Sequence, residues 1–448
     1  MGSPAKKYLQ ILSEIASGID HALYLVGGSI RDTLLGKECS DFDFTARNIE
    51  TLARSFAVGV QSSFVHLDNT PGRETFRVIV EKQFSFDFTE MQGDSIEEDL
   101  AQRDFTINAM AIRLDDFLAG RDAFIDLHRG QEDLANKIVR VVPGPIFSSD
   151  PCRMLRAFRF AGALNFKIDA ETLKKIESEK NNLEKTAPER IYHEWILFLS
   201  GQQVFKLLQV MDETGLLQCV LPETGELRAI AEGQLNAWET GLATFSFLEN
   251  LISHPKPVIP LANSLQFLTG KRTAVLKFAG LLYPLTPSSI VLLLKRLRAS
   301  NADIQFIHRT ILCQREAVDS NLDFAGEKFD EPEMYRFVKK NASELMAGIF
   351  LACAVKSTFK KGDQTKTEEF YQAACRVSGF YLERYLPAME RKILLDGKDL
   401  IQNFKLPPSP LFRIVLDRVE EARVLGTIHS KSEAEKLAQE IIQIQKVK

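Results

Sequence analysis

The sequence lacks any apolar run of membrane-spanning length, and its first residues, MGSPAKKYLQ, hold no apolar core of the signal-peptide kind. Paired cysteines are also missing, because the six cysteines are scattered and none forms a C-x-x-C motif. This pattern argues against a disulfide framework or a cysteine zinc site, and it favours a reducing cytoplasm with no membrane partner. A phosphate-binding G-x-x-x-x-G-K-[ST] motif is absent too, which disfavours P-loop enzymes and kinases.

A strong charge of one sign is another missing feature. The chain carries 56 basic and 60 acidic residues, for a net charge of −4. That net charge gives no sign of nucleic-acid binding. It does not exclude such binding either, because binding depends on the local electrostatic potential of the binding groove. With 448 residues, of which 45% are hydrophobic and 26% charged, the chain is typical of a globular protein with roughly two to four domains.

The most informative stretch that is present runs from Val26 to Asp43, VGGSIRDTLLGKECSDFD. The apolar run before it predicts a strand, and Gly27 and Gly28 predict a tight turn at the end of that strand. A helix can begin directly afterwards, with Ser29 as a possible cap. Backbone N–H groups of a glycine turn beside a helix start are well placed to bind a triphosphate.

Two carboxylates follow in the segment Asp41-Phe42-Asp43. Residues two apart in a strand point the same way, so Asp41 and Asp43 share one face. Two carboxylates on one face are costly unless a cation lies between them, and Mg²⁺ is the obvious candidate. Further on, composition predicts a turn at residues 68–72, and residues 75–80 and 83–88 alternate as a predicted hairpin. Asp87, on the second strand of that hairpin, is either an ordinary outward polar residue or a third carboxylate beside the same metal ions.

The order of strand, glycine pair, Arg31-Asp32 and Asp-x-Asp is specific. GGSIRDTLLG followed by SDFDFT closely resembles the head-domain signature of the class II tRNA nucleotidyltransferase and poly(A) polymerase family, within the polymerase-β-like nucleotidyltransferases. The resemblance implies that the two Asp-x-Asp carboxylates are catalytic and hold metal. It also implies nucleotide contacts by the turn and the residues after it, Gly27, Gly28, Arg31 and Asp32.

The stretch EEDLAQRDFTINAMAIRL resembles the second signature of the same family. The resemblance implies that Arg103 meets triphosphate or sugar oxygens, that Asp104 orients Arg103 or the ribose, and that Asn108 donates to the nucleotide. Its spacing predicts that a helix begins here, with four apolar positions, Phe105, Ile107, Met110 and Ile112. Short strands are predicted afterwards at residues 124–127 and 138–142.

A third stretch, SDPCRMLRAFRF, predicts a helix with an acidic cap at Asp150 and a proline at its first position. Arg153, Arg156 and Arg159 are spaced by three and share one broad face with no acid beside them, which suits phosphate or a nucleobase. The stretch resembles the family motif in which protein side chains choose the incoming base. The resemblance implies that Asp150 and Arg153 read CTP or ATP, and that Arg156 supports the base or phosphates. Arg159 completes this nucleotide-binding set.

The segment from Pro188 to Glu194 resembles the family's last core motif and is expected to fix the helices that carry this face. Beyond Gly201, apolar residues recur at helical spacing, which predicts an all-α remainder. Two basic clusters are either solvated helix faces or phosphate contacts with RNA: Lys295, Arg296 and Arg298, and Lys356, Lys360 and Lys361.

The predicted fold class is α+β, a mixed-sheet nucleotidyltransferase head domain followed by all-α neck, body and tail domains. The predicted bounds are 1–143 for the head, 144–205 for the neck with the templating helix, 206–330 for the body and 331–448 for a tRNA-binding tail. The resemblance implies addition of C or A from CTP and ATP to the 3′ end of tRNA, with two Mg²⁺ ions held by Asp41 and Asp43. No protein partner is implied.

The subtype is read from a loop. Full CCA-adding members carry a flexible loop between the strand that holds Asp87 and the next helix, whereas here Phe88 and Glu97 are separated only by TEMQGDSI. We therefore hypothesise a CC-adding enzyme. A poly(A) polymerase is the alternative, and it would be favoured by a longer basic tail than the ending IQKVK. A non-catalytic RNA-binding relative would be expected to lack Asp41 or Asp43, and both are present.

Overall fold

A computed structural model describes residues 3–18, 22–68, 74–232, 235–253, 268–319, 330–358 and 364–447. The chain divides into two compact units, Met1–Pro222 and Glu223–Lys448. In the described residues the first unit combines a mixed sheet with helices, and the second is almost entirely helical. The predicted α+β class is thus confirmed, while the division into head, neck, body and tail stays a prediction.

The first unit contains eight described strands. They are β1 (Tyr24–Val26), β2 (Asp41–Ala46), β3 (Phe64–Asp68), β4 (Thr75–Val80), β5 (Phe84–Glu90), β6 (Ala111–Arg113), β7 (Ile138–Val139) and β8 (Lys167–Ile168).

Its described helices surround and follow the sheet. They are α1 (Ser3–Ser17), α2 (Gly28–Leu34), α3 (Ile49–Gly59), α4 (Ile96–Ala101), α5 (Leu114–Leu118), α6 (Gly130–Ala135), α7 (Ile146–Ser149), α8 (Arg153–Leu164), α9 (Ala170–Glu179), α10 (Pro188–Leu199), α11 (Phe205–Glu213) and α12 (Leu216–Val220), with 3₁₀ turns at Thr106–Asn108 and Lys180–Lys185.

The six-stranded sheet of the described chain has the order β3-β4-β5-β2-β1-β6. Strands β2 and β5 are parallel, and the other neighbouring pairs are antiparallel. The register sets Asp43 of β2 opposite Asp87 of β5, and Asp87 opposite Arg77 of β4. Directly paired residues point to the same face of a sheet, so these three side chains lie in one row.

The opposite face of the sheet is the apolar core of the head. Alternate positions of β2 and β5 supply phenylalanines that are almost fully buried, Phe42, Phe44, Phe86 and Phe88. The ring of Phe86 lies 4.9 Å from that of Phe56 on α3 and 5.3 Å from that of Phe42, measured between centroids. Because the phenylalanines take one face, the carboxylates of the same strands must take the other.

The prediction that a helix begins near Arg103 is wrong. The structure has a short 3₁₀ turn at Thr106–Asn108, followed by strand β6, which pairs with β1 and sets Ala111 opposite Val26. The four apolar residues assigned to that helix are indeed buried, but their spacing of two within each pair fits extended chain as well as helix. Tertiary pairing with β1 decides between them.

The strands predicted after this segment are shorter than expected. Ile125 forms only an isolated bridge to Ala111, and of residues 138–142 only β7 is a strand, in parallel with β8. The predicted hairpin of β4 and β5 is confirmed. The predicted turn at residues 68–72 lies largely outside the described residues, although Asp68 itself belongs to β3.

The second unit confirms the predicted all-α remainder apart from a two-stranded ribbon of β9 (Ala231–Glu232) and β10 (Leu235–Asn236). Its described helices are α13 (Thr224–Ala229), α14 (Ala237–Ser253), α15 (Lys271–Leu282), α16 (Pro287–Arg296), α17 (Asn301–Asp319), α18 (Glu331–Asn341), α19 (Leu345–Thr358), α20 (Gln364–Phe380), α21 (Leu386–Glu390), α22 (Gly397–Phe404), α23 (Pro410–Val424) and α24 (Lys431–Val447), with a π-helical turn at Tyr381–Tyr385.

Whether the two basic clusters of this unit are solvated helix faces or contact RNA phosphates stays a prediction. Arg296 forms an ion pair of 2.9 Å with Glu223, and the ammonium group of Lys356 lies 5.4 Å from the ring of Phe370. Lys360 and Lys361 lie outside the described residues. Across the described ranges, we find no helix that is both long and apolar enough to cross a membrane.

We expect Phe86→Ala to lower the free energy of unfolding of the first unit by about 3–5 kcal/mol, because it opens a cavity among four aromatic rings. The chain has two tryptophans, Trp195 in the first unit and Trp238 in the second. Urea unfolding followed by fluorescence in a Trp238→Phe background therefore reports on the first unit.

Val58→Ala is the matched control, because this side chain on α3 is 79% exposed. The control should stay within about 0.5 kcal/mol of the parent. Equal midpoints for the two variants would contradict the assignment of Phe86 to the core.

Candidate active site

At the glycine turn, both the backbone conformation and the lack of room for a side chain favour glycine. Gly27 has a φ of +65°, which favours glycine. A Cβ atom on Gly27 would lie 3.1 Å from Nη1 of Arg103 and 3.3 Å from Oδ2 of Asp43. The backbone N–H of Gly28 donates to Oδ2 of Asp43 over 3.2 Å. The turn therefore places backbone directly against the carboxylate predicted to hold metal.

Ser29 is not the helix cap that the sequence suggested. The residue before α2 is Gly27, and the hydroxyl of Ser29 faces β2 instead. It accepts a hydrogen bond from the backbone N–H of Asp43 over 2.6 Å and donates to the backbone carbonyl of Asp41 over 3.3 Å. Ser29 thus fastens the start of α2 to the strand that carries both carboxylates.

The carboxylates differ in their surroundings. Asp41 is exposed, whereas Asp43 is half-buried beside Asp87. Burial, and after it the charge of Asp87, raise the pKa of Asp43, while Arg103, the N–H of Gly28 and Arg31 lower it, and the net effect is a rise to about 6. The row of acids therefore concentrates negative charge at Asp43.

The donor chemistry of Asp41 and Asp43 fits Mg²⁺. Mg²⁺ prefers carboxylate oxygens, and two of them on one strand face beside a further acid need a cation. Asp87 is held in a different way, because both of its oxygens accept hydrogen bonds from Arg77, over 2.7 and 2.6 Å. The part of the chain that the structure describes shows no group of three or more His, Cys, Asp or Glu side chains able to hold a metal ion. A metal role for Asp87 stays a prediction.

Arg31 is fixed from two sides. Its guanidinium donates to both oxygens of Asp32, over 3.0 and 2.9 Å, and to Oδ1 of Asn108 over 2.7 Å. The amide nitrogen of Asn108 donates in turn to Oδ1 of Asp104 over 3.1 Å. Asn108 therefore links the first and second motifs in this structure, and its predicted donation to a nucleotide stays a prediction.

Of the two roles implied for Asp104, orienting Arg103 is not seen in the structure, and contact with the ribose stays a prediction. Arg103 is held by Asp99, whose Oδ2 accepts from its Nε over 2.9 Å. Oδ2 of Asp104 accepts instead from Nε of Arg156 over 2.9 Å, and Nη2 of Arg156 lies 2.7 Å from the same oxygen. Burial alone would raise the pKa of Asp104, but the charge of Arg156 and the hydrogen bonds from Asn108 and Arg156 hold it below its ordinary value.

Helix α8 begins at Arg153, later than the sequence indicated. Oδ1 of Asp150 accepts from the backbone N–H of Cys152 over 3.2 Å, so Asp150 stabilises the turn before the helix. Its other oxygen accepts from Arg190 on α10 over 2.8 Å and lies 4.0 Å from Nε of Arg153. Asp150 and Arg153, the predicted base-reading pair, are thus adjacent, and α10 braces them.

The arginine face of α8 has acids beside it, contrary to the expectation from sequence. Oε2 of Glu194 on α10 lies 2.8 Å from Nε of Arg159, and Oε1 lies 3.6 Å from Nη1 of Arg156. Asp104 supplies a second acid to Arg156. The error has a simple cause, because both acids come from other segments of the chain and spacing within α8 says nothing about them.

A cavity of about 670 Å³ lies where these motifs meet, within the size range typical of ligand sites. Eleven of the residues predicted from sequence line it, and Asp41, Asp32 and Asp87 are outside its lining. The eleven are Gly27, Gly28, Arg31, Asp43, Arg103, Asp104, Asn108, Asp150, Arg153, Arg156 and Arg159.

Sequence reasoning missed four residues of this site: Arg77, Asp99, Glu194 as an arginine partner, and Phe160. The predicted hairpin contains the signal for Arg77, because the register of its two strands sets that residue opposite Asp87. Asp99 precedes Arg103 by four positions, a helical ion-pair spacing. No sequence signal singled out Phe160, which lines the cavity from α8.

Comparison with known families agrees with this geometry. Residues 23–140 match the family described as Poly A polymerase head domain, and residues 165–227 match the one described as Probable RNA and SrmB- binding site of polymerase A. The first match covers β1 to β7 and most of the cavity lining, and the second covers β8 and helices α9 to α12.

Individual relatives point the same way. A CCA-adding enzyme of Ligilactobacillus salivarius is 28% identical over 96% of this chain and 94% of its own length. A CC-adding tRNA nucleotidyltransferase of Geobacter sulfurreducens is 37% identical, but over only 41% of this chain and 42% of its own. A solved structure of a CCA-adding enzyme with ATP has a TM-score of 0.69 at 21% identity, covering 99% of this chain and 94% of that one, and so shares the fold. Residues 23–140 thus match the Poly A polymerase head domain family, and the chain is similar over most of its length to a CCA-adding enzyme.

Proposed function

We propose that this protein is a template-independent RNA nucleotidyltransferase that adds C and/or A from CTP and ATP to the 3′ end of tRNA. The observation that carries the proposal is the single cavity in which the glycine turn, Asp43 and the arginine face of α8 meet. The names of the CCA-adding and CC-adding relatives support tRNA as the substrate.

Asp41 and Asp43 are the proposed Mg²⁺ ligands, and bound Mg²⁺ would neutralise phosphate charge and favour the ionised 3′-OH. The chain itself supplies positioning, which is most of what phosphoryl transfer asks of a protein. The N–H of Gly28 and the hydroxyl of Ser29 hold the Asp43 carboxylate and its strand. Arg31 and Arg103 lie near the same turn and offer guanidinium groups to phosphate oxygens.

Asp150 and Arg153 are the proposed base-reading pair. A carboxylate accepts from an exocyclic amine and a guanidinium donates to a ring acceptor, which is the pattern that C and A share and U and G lack. Arg190 holds the carboxylate in one orientation. A wrong base would leave these polar groups unpaired, which is costly in a partly buried site.

The connection after β5 supports a CC-adding subtype. Since β5 extends to Glu90, only residues 91–95 separate it from α4. Those residues are tied down, because the N–H of Gln92 donates to Asp99 over 3.0 Å and the N–H of Asp94 donates to Glu98 over 2.8 Å. We propose that so short and braced a connection does not rearrange to admit ATP after two C residues have been added.

The subtype is tested with purified protein, Mg²⁺ and a tRNA that lacks its 3′ CCA. We expect growth by two residues with CTP alone and no further growth when ATP is added, as read by product length on a sequencing gel. Growth by three residues with both nucleotides would show a complete CCA enzyme. A long tail made from ATP alone on other RNAs would show a poly(A) polymerase.

Asp41→Asn and Asp43→Asn should each lower kcat for CTP addition by about 10³-fold or more, since the lost metal stabilises the transition state by several kcal/mol. The measurement is a single-turnover assay with labelled tRNA. Asp116→Asn is the matched control, because that carboxylate pairs with Arg121 outside the cavity. If both test variants kept parental activity with an unchanged circular dichroism spectrum, the metal assignment would be wrong.

Asp150→Asn should weaken the choice of base more than it weakens the reaction. An amide can present either a donor or an acceptor, so the preference for CTP over UTP should fall by about 10²-fold. The ratio of kcat/KM for the two nucleotides measures this preference. Glu171→Gln, which changes an exposed ion pair on α9, should leave the ratio unaltered, and an unaltered ratio in Asp150→Asn would remove Asp150 from base reading.

A further inference from the structure

Three guanidinium groups of the cavity surround one aromatic ring. The central carbons of Arg31, Arg156 and Arg159 lie 5.3, 5.3 and 4.3 Å from the centroid of Phe160. All three arginines and Phe160 line the cavity. A guanidinium within about 6 Å of a ring centroid is attracted by the quadrupole of the ring. One side chain therefore contacts cations from both α2 and α8.

The ring of Phe160 is fixed by its packing on the ring of Phe105. Phe160 is only 9% exposed, and its ring packs edge-to-face on Phe105 at 5.7 Å between centroids. Phe105 is fully buried and directly follows Asp104, which binds Arg156. The position of the ring is thus fixed by the second motif, and the ring in turn contacts arginines of the first and third motifs.

Acids neutralise these arginines but do not orient all of them. Asp32 and Asn108 hold Arg31, and Asp104 holds Arg156, each through hydrogen bonds. Arg159 is different. Its Nε and Oε2 of Glu194 lie 2.8 Å apart, yet both atoms are buried without a hydrogen bond, because the pair is not aligned. The closest of the three ring contacts belongs to Arg159, at 4.3 Å.

We propose that Phe160 is a positioning residue, which orients the guanidinium groups of Arg159, Arg156 and Arg31 for the incoming nucleotide. The inference rests on the proposed function, because it takes the cavity to be the nucleotide site. Phe160 acts through the arginines, and Arg159 depends on it most, since Glu194 supplies charge without an aligned hydrogen bond. This gives an apolar residue a part in nucleotide binding.

Phe160→Leu should raise KM for CTP about tenfold, equivalent to about 1.4 kcal/mol, with little change in kcat, because the loss falls on ground-state and transition-state binding alike. Phe160→Tyr keeps the ring and should restore the parental KM. Phe158→Leu is the matched control on the same helix. Phe158 is fully buried and packs against Phe198 on the other side, so its loss should lower thermal stability and leave KM unchanged.

A second series keeps the shape of the side chain and changes only the ring electrostatics. Phenylalanines with one, two and three ring fluorines, placed at position 160 by nonsense suppression, weaken the quadrupole stepwise. We expect KM for CTP to rise with each fluorine while the melting temperature stays constant. This series also covers the case in which Phe160→Leu fails to fold.

The outcomes separate the two proposals. If parental protein adds no nucleotide to any RNA, the proposed function fails. If it adds nucleotides, and KM does not respond to fluorination or to Phe160→Leu, Phe160 is only a core residue and the inference is overturned. A rise in KM for Phe158→Leu equal to that for Phe160→Leu would overturn it as well, because the effect would then reflect loosening of α8.

Discussion

The negative charge of the half-buried Asp43 is the constraint on which the site depends. This carboxylate lies opposite Asp87 and two residues from Asp41, and burial would disfavour its ionised form without nearby donors. The N–H of Gly28 and the charges of Arg31 and Arg103 offset part of that cost. The glycine turn, Ser29 at the start of α2 and Arg103 of the second motif all meet at this residue.

The arginines of the cavity show the complementary feature, because each has an acid beside it. An acid accompanies each of three arginines, because Asp99 binds Arg103, Asp104 binds Arg156 and Glu194 lies beside Arg159. Asp104 and Glu194 come from other segments of the first unit than α8, so these two pairs also tie different parts of that unit together. Guanidinium groups held in this way need little reorganisation when an anion arrives, which is how a preorganised site gains catalytic power.

The sequence predicted the parts of this site whose geometry is local. A spacing of two put both carboxylates on one strand face, and paired glycines indicated the turn. Contacts between distant segments were not predictable in this way, so Glu194 was missed as the partner of Arg159, and Arg156 was missed as the partner of Asp104. The helix expected near Arg103 failed for another reason, since a short apolar run fits both periods until β1 pairs with it.

The difference between local geometry and contacts of distant segments also explains why the sequence predicts the type of reaction more readily than the enzyme subtype. Metal-binding carboxylates and phosphate-binding arginines serve any nucleotide, so they are expected in CC-adding, CCA-adding and poly(A)-adding enzymes alike. What differs between these reactions is the space left after each addition. We therefore expect the subtype to depend on the elements that border the cavity. The connection at residues 91–95 is such an element, because Gln92 lines the cavity and its N–H is anchored on Asp99, the residue that also holds Arg103.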